Sequence, residues 1–211
     1  DFMGNGDSTA SYRDYNYTSA VIDAKAAADY LAGLETVDGG NLGVMGWSQG
    51  GTDALLAAEA HPGTFQAVVT WSGALELNGA SLFAGTSFED AYAQAKKEGF
   101  YTMTFDWREP LELGERWFQE VAETNILKVT ADIKAPILAI NGKDDTTVTP
   151  DNAEKIVKAA ANADSQLLLV DNCDHTYNVF SGDFTALYQT VDATAAFFQA
   201  QLIPAAAQAA A

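Results

Sequence analysis

Short apolar runs alternate along this chain with longer segments in which apolar residues recur at three-and-four spacing. Four of the runs read as strands: Leu42 to Met45, Gln66 to Trp71, Pro136 to Asn141 and Gln166 to Val170. Between and around them lie helical patterns. In the first, Ala20, Val21, Ala24, Ala27, Ala28, Leu31 and Leu34 form one buried face, with Thr18 as its cap. The second follows Ser48 and stops at His61-Pro62-Gly63. A third opens at Thr149-Pro150 and turns Ala153, Ile156, Val157 and Ala160 inward. The last carries a stripe of Phe184, Leu187, Tyr188, Val191, Ala195, Phe198 and Leu202. Strands alternating with helices predict an α/β fold: a mostly parallel sheet, helices on both faces, and ligands at the carboxyl ends of the strands.

Between Asn78 and Lys128 the alternation breaks. This span shows no clear strand and is crowded with aromatic residues, among them Phe83, Phe88, Tyr92, Phe105, Trp107, Trp117 and Phe118. Glu89 to Lys97 and Gly114 to Glu123 read as helices, so the span is expected to be an insertion of about residues 78–128 within one domain of residues 1–203. Residues 204–211 are an alanine-rich tail, and Asp1 to Ser8 is a glycine-punctuated loop.

At 211 residues the chain can bury a substantial core. Its formal charge of −18 argues against nucleic acid and anionic membrane surfaces as partners. Cys173 is its only cysteine, which excludes an internal disulfide and a thiolate metal cluster. Neither a membrane-length apolar run nor a signal-like opening is present, which sets the expectation of a cytoplasmic protein.

The candidate chemistry sits at the predicted strand ends. Gly46-Trp47-Ser48-Gln49-Gly50-Gly51 joins a strand to a helix as a nucleophile elbow does: a sharp turn that lifts a serine hydroxyl clear of its backbone. Gly46 and Gly50 are expected where a Cβ would clash, and the Gln49 N–H, opening the helix, is the candidate oxyanion donor. Of the two histidines, His175 follows the strand that ends at Val170, whereas His61 lies at a helix end beside Pro62. After the strand ending at Asn141, Asp144 and Asp145 compete for the acid, and spacing from Gly142 favours Asp145. Ser48, Asp145 and His175 thus fall in the chain order nucleophile, acid, base, each at its own strand end. Activity should fall with pH as His175 is protonated.

The elbow, the loop Asn-Gly-Lys-Asp-Asp-Thr-Thr-Val-Thr-Pro and the segment Cys-Asp-His-Thr resemble the α/β-hydrolase superfamily. With the opening Asp-Phe-Met-Gly-Asn-Gly-Asp-Ser and the aromatic insertion, the chain is similar to bacterial cinnamoyl (feruloyl) esterases. That resemblance implies an N-terminally truncated α/β-hydrolase sandwich, Ser48 as nucleophile, Asp145 as acid, His175 as base and no metal or organic cofactor. It also makes the insertion a lid for the aromatic acyl group of a hydroxycinnamate ester, with Trp47, Asp106, Trp107 and Trp117 as substrate-binding candidates and Asp106 placed to accept from a phenol. Relatives carry a second oxyanion donor on a His-Gly loop that has no counterpart in this sequence. A homo-oligomer, or an N-terminal fragment that completes the sheet, is therefore expected. Open alternatives are a general carboxylesterase, a thioesterase or an acyl-peptide hydrolase with the same triad and, from another class, a hydrolase-like binding domain with impaired catalysis.

Overall fold

Apolar runs and amphipathic segments alternate in space as they do in sequence. The computed structural model describes residues 1–83, 85–105 and 108–203. In chain order its main elements are α1 (Tyr17–Ala32), β1 (Leu42–Trp47), α2 (Gln49–Ala60), β2 (Phe65–Trp71), α3 (Phe88–Glu98), β3 (Phe100–Met103) and β4 (Leu111–Gly114). They continue with α4 (Glu115–Glu123), α5 (Ile126–Asp132), β5 (Ile137–Gly142), α6 (Asp151–Ala159), β6 (Gln166–Val170) and α7 (Thr185–Leu202). The chain divides into two compact units. One comprises Asp1–Ala26 with Glu76–Asn125; the other comprises Ala27–Leu75 and, of the described residues, 126–203.

The second unit holds the main sheet, in the order β1-β2-β5-β6 with every neighbouring pair parallel. Strands covered on both faces read as unbroken apolar runs, and β5, buried at every position, is one. Ala67, Val69, Leu138 and Ile140 pack in a core with Ala186 and Phe197 of α7. The alternate residues Val68, Thr70, Ile137 and Ala139 are equally buried and face the other way, toward the side covered by α2 and α6.

The face that α7 buries is not its apolar stripe. Ala186, Thr190, Thr194 and Phe197 are buried, while Phe184, Tyr188 and Val191 are exposed. Two hydroxyls explain the rotation. Thr190 returns its proton to the Ala186 carbonyl (2.9 Å), and Thr194 accepts the Trp71 indole N–H (2.9 Å), so both are satisfied indoors. A hydropathy pattern counts threonine as polar and misses this. Similarly, Ala20 and Ala28 of α1 are buried but Leu31 and Leu34 are exposed. Its cap is Asn16 and not Thr18. Asn16 Oδ1 accepts the Ser19 N–H and Ser19 Oγ accepts the Asn16 N–H, both at 2.9 Å, a reciprocal capping box. Thr18 instead gives its N–H and hydroxyl to Glu120.

The first unit contains the strands that the aromatic span concealed: β3 and β4 form an antiparallel ribbon from Phe100↔Gly114 to Met103↔Leu111. Phe83, Phe88, Trp117 and Phe118 are all buried and meet edge-on or tilted, with centroids 5.0 to 6.3 Å apart. Such pairs add about 0.5–1.5 kcal/mol each beyond the area they bury. Arg13 lies 3.6 Å over the Phe100 ring and bonds Glu112 at 2.7 Å, fastening the opening segment to the ribbon.

Thr194→Val should leave the Trp71 indole N–H without its acceptor. A loss of about 1–3 kcal/mol in urea unfolding is expected. An unchanged midpoint would show that the hydroxyl does not set the orientation of α7.

Candidate active site

All three candidate groups belong to the second unit and emerge from the carboxyl ends of its strands. Ser48 follows β1 and precedes α2 at φ 55°, ψ −123°, a strained conformation for any residue with a Cβ. The turn is pinned by Ser48 N–H to the Trp71 carbonyl (2.9 Å) and by Gly51 N–H to the Ser48 carbonyl (3.0 Å). A Cβ on Gly46 would land on the Gly50 carbonyl, so that glycine is required. Gly50 is not as expected: a Cβ there meets no atom within 4 Å. The crowded partner is Gly51, where a Cβ would come within 2.8 Å of the Gly73 backbone.

His175 Nε2 is 3.1 Å from Ser48 Oγ, and His175 Nδ1 is 2.8 Å from Asp145 Oδ2. The imidazole is slightly exposed and the Asp145 side chain is wholly buried. Its second oxygen accepts the N–H groups of Thr147 (2.9 Å) and Val148 (2.8 Å). Asn141 donates to Oδ2 at 3.4 Å and to the Val148 carbonyl at 2.9 Å. Burial alone would push the Asp145 carboxyl up. The bonds from His175 and the Val148 N–H, with attraction to His175, outweigh it and hold the group below the ordinary carboxylate range. Asp144, the competing acid, is exposed and gives its backbone N–H to the Cys173 carbonyl.

Trp47 is half exposed; its indole N–H donates to the His175 carbonyl (2.9 Å) and its ring lies 5.3 Å from the imidazole at 38°. It clamps the histidine loop onto β1. Gln49 opens α2, in the first turn, where amides lack an intrahelical acceptor. Trp117, assigned to substrate by resemblance, is 1 % exposed inside the aromatic cluster of its own unit and presents almost no surface. Asp106 and Trp107 lie outside the described residues. Cys173 is buried, and desolvation followed by the nearby carboxylates pushes its thiol up to about 11, which makes it a packed group and a poor nucleophile. Asn141 escaped the sequence reading. A polar residue closing an otherwise apolar strand, Ile137-Leu138-Ala139-Ile140, was the available signal.

Among the described residues no group of three or more His, Cys, Asp and Glu side chains is arranged to hold a metal. No helix among them is long and apolar enough to cross a membrane.

The model of the prolyl oligopeptidase family, Peptidase_S9, matches residues 8–203. The chain belongs to the prolyl oligopeptidase family. Comparison with curated proteins gave no match. Among solved structures, Est1E from Butyrivibrio proteoclasticus, with ferulic acid bound, is similar at TM-score 0.71 and 18% identity over 97% of this chain and 76% of that one. A monoacylglycerol lipase from Paleococcus ferrophilus is similar at 0.62 and 19%, over 83% and 73% of the two chains. A puromycin-hydrolyzing peptidase from Mycobacterium tuberculosis gives 0.59 and 23%, over 88% of this chain and 25% of that one. These likenesses establish an α/β-hydrolase fold for this family member.

Gly50→Ala should retain near-normal expression and melting temperature, whereas Gly46→Ala should misfold or lose several degrees; equal effects in thermal melts would refute the steric account. Asp145→Asn should lower kcat by about 10⁴-fold, because the amide disfavours the required tautomer. The sign of the pH linkage follows from the depressed carboxyl. Its contribution to stability is complete above the unfolded value of about 4 and is lost as pH falls through the lower folded value, so Asp145→Asn should flatten acid unfolding in that window. Acid titrations by circular dichroism that superimpose for the two proteins would contradict this.

Proposed function

We propose that the protein is a serine hydrolase that cleaves carboxylic esters through an acyl-enzyme, with hydroxycinnamate esters as the leading substrate class. The observation that carries the reading is the continuous hydrogen-bonded path from Ser48 through His175 to Asp145 across three strand ends. As Ser48 Oγ attacks the ester carbonyl, its proton passes to His175 Nε2, and Asp145 stabilises the resulting imidazolium through Nδ1–H. The Gln49 N–H supports the oxyanion. Collapse of the intermediate breaks the acyl–oxygen bond, and His175 gives its proton to the leaving alcohol. Water, deprotonated by the same imidazole, then releases the acid and restores Ser48. Likeness in fold to a protein that holds ferulic acid supports the aromatic acyl preference.

Family membership favours a second reading, hydrolysis of an acylated or short peptide by the same three residues. The chemistry differs in its leaving group: an amine must be protonated as the bond breaks, which places a heavier demand on His175.

A fluorophosphonate should label Ser48, and Ser48→Ala should abolish both labelling and turnover, a loss of roughly 10⁶-fold. Methyl ferulate, p-nitrophenyl acetate, an acyl thioester and an acyl-alanyl anilide would then be compared by kcat/KM. Preference for methyl ferulate is expected. Anilide cleavage exceeding all ester rates would replace the first reading with the second, and labelling at a residue other than Ser48 would overturn both.

A further inference from the structure

Asn141 follows four apolar residues of β5 and is as fully buried as they are. Its side-chain carbonyl, Oδ1, finds no hydrogen-bond partner among the described residues. A buried acceptor left unpaired works against folding, so the reason for an amide at this place in the strand lies at its other end. There Nδ2 faces three oxygens. It donates to the Val148 carbonyl at 2.9 Å, and its second proton lies between the Gly142 carbonyl (3.3 Å) and Asp145 Oδ2 (3.4 Å). Turning the amide over would set Oδ1 against the same three oxygens, so the orientation that strands Oδ1 is the favoured one.

These contacts bracket the turn that carries the acid. Val148 is gripped from both sides, its carbonyl by Asn141 and its N–H by Asp145 Oδ1 at 2.8 Å. Asp145 Oδ1 also accepts the Thr147 N–H, while Oδ2 meets His175 Nδ1 and the Asn141 amide. Two donors on each oxygen match the lone pairs of a carboxylate and hold its plane. The bond to Val148 is much the shorter of the two, so Asn141 acts first on the shape of the turn and second on the carboxylate. The turn is tied to the histidine loop as well. Lys143 N–H donates to the Val170 carbonyl (2.9 Å) and Asp144 N–H to the Cys173 carbonyl (3.0 Å), and a Cβ on Gly142 would land on that same Cys173 carbonyl. We propose that Asn141 is a positioning residue: it closes the turn from β5 to Val148 and fixes the carboxylate plane that accepts His175 Nδ1–H, with the stranded Oδ1 as the stability forgone for that placement. The proposal rests on the hydrolase reading given above.

Asn141→Leu fills nearly the same space with neither the donor nor the stranded carbonyl, whereas Asn141→Ala leaves a cavity besides. Both should lower kcat for p-nitrophenyl acetate about tenfold, the factor that one hydrogen bond of ordinary net strength corresponds to, with KM within about twofold. Fluorophosphonate labelling should slow in proportion, and the downfield proton resonance of the His175–Asp145 hydrogen bond should shift or broaden. The alanine variant should melt lower than the leucine variant while the two share the same kcat. Wild-type kcat in a folded Asn141→Leu, a kcat that follows melting temperature across the two variants, or an unmoved resonance overturns the proposal. In the wild-type chain the Asn141 side-chain amide protons should shift when Ser48 is phosphonylated, because charge on His175 draws on Oδ2. Unshifted amide protons overturn the proposal even where neither variant folds. A wild-type protein that takes up no phosphonate would sink the hydrolase reading instead. The His175–Asp145 resonance in the variants would then still decide the role of Asn141, because it needs no turnover.

Discussion

A carboxylate removed from solvent costs several kcal/mol unless donors and an opposite charge surround it. Asp145, with its side chain fully buried, imposes that requirement on the carboxyl end of the sheet. The loop after β5 must curl so that the Thr147 and Val148 amides face it, and Asn141 must end an otherwise apolar strand. The loop after β6 must bring His175 to the remaining lone pair. Parallel strands in unbroken order make this feasible, because all four carboxyl ends then open on the same rim. The elbow adds Ser48 from β1 to a site whose electrostatics β5 and β6 already determine.

This logic explains what the sequence disclosed and what it hid. The main-sheet strands and the turns that carry Ser48, Asp145 and His175 were legible because a strand buried on both faces is a short apolar run, and the three candidate residues lie where such runs end. Faces of helices were harder to read. On α7 the residues turned inward include Thr190 and Thr194, whose hydroxyls find partners that hydropathy cannot anticipate. The cap of α1 is decided by Asn16 and Ser19 bonding each other, with Thr18 drawn away by Glu120, a partner distant in sequence. The β3–β4 ribbon was concealed for another reason: its strands span four residues each, too few for alternation to stand out in an aromatic-rich context. Gly50 shows the limit of motif reasoning, since its place in the motif implied crowding that the actual turn transfers to Gly51.

Aromatic residues concentrated in one span suggest a ligand box, yet in this protein they first satisfy their own unit. Phe83, Phe88, Trp117 and Phe118 cover one another so fully that the cluster supplies stability to its own unit. Small units need large side chains to bury enough area, so aromatic enrichment is a packing requirement before it is a recognition device. Recognition at the candidate site therefore has to be argued from groups that remain accessible beside Ser48.

Trp47 is such a group, and its geometry assigns it two tasks. The indole N–H is committed to the His175 carbonyl, which restrains the loop carrying the base. The ring stays half exposed and tilted against the imidazole, so its free surface borders the candidate site. A positive charge on that imidazole would meet the face of the ring, and such contacts favour the cation. In the proposed hydrolysis, a residue that restrains the imidazole and also touches a charge developing on it would act on the transition state more than on the bound substrate, which is the distinction that separates turnover from affinity.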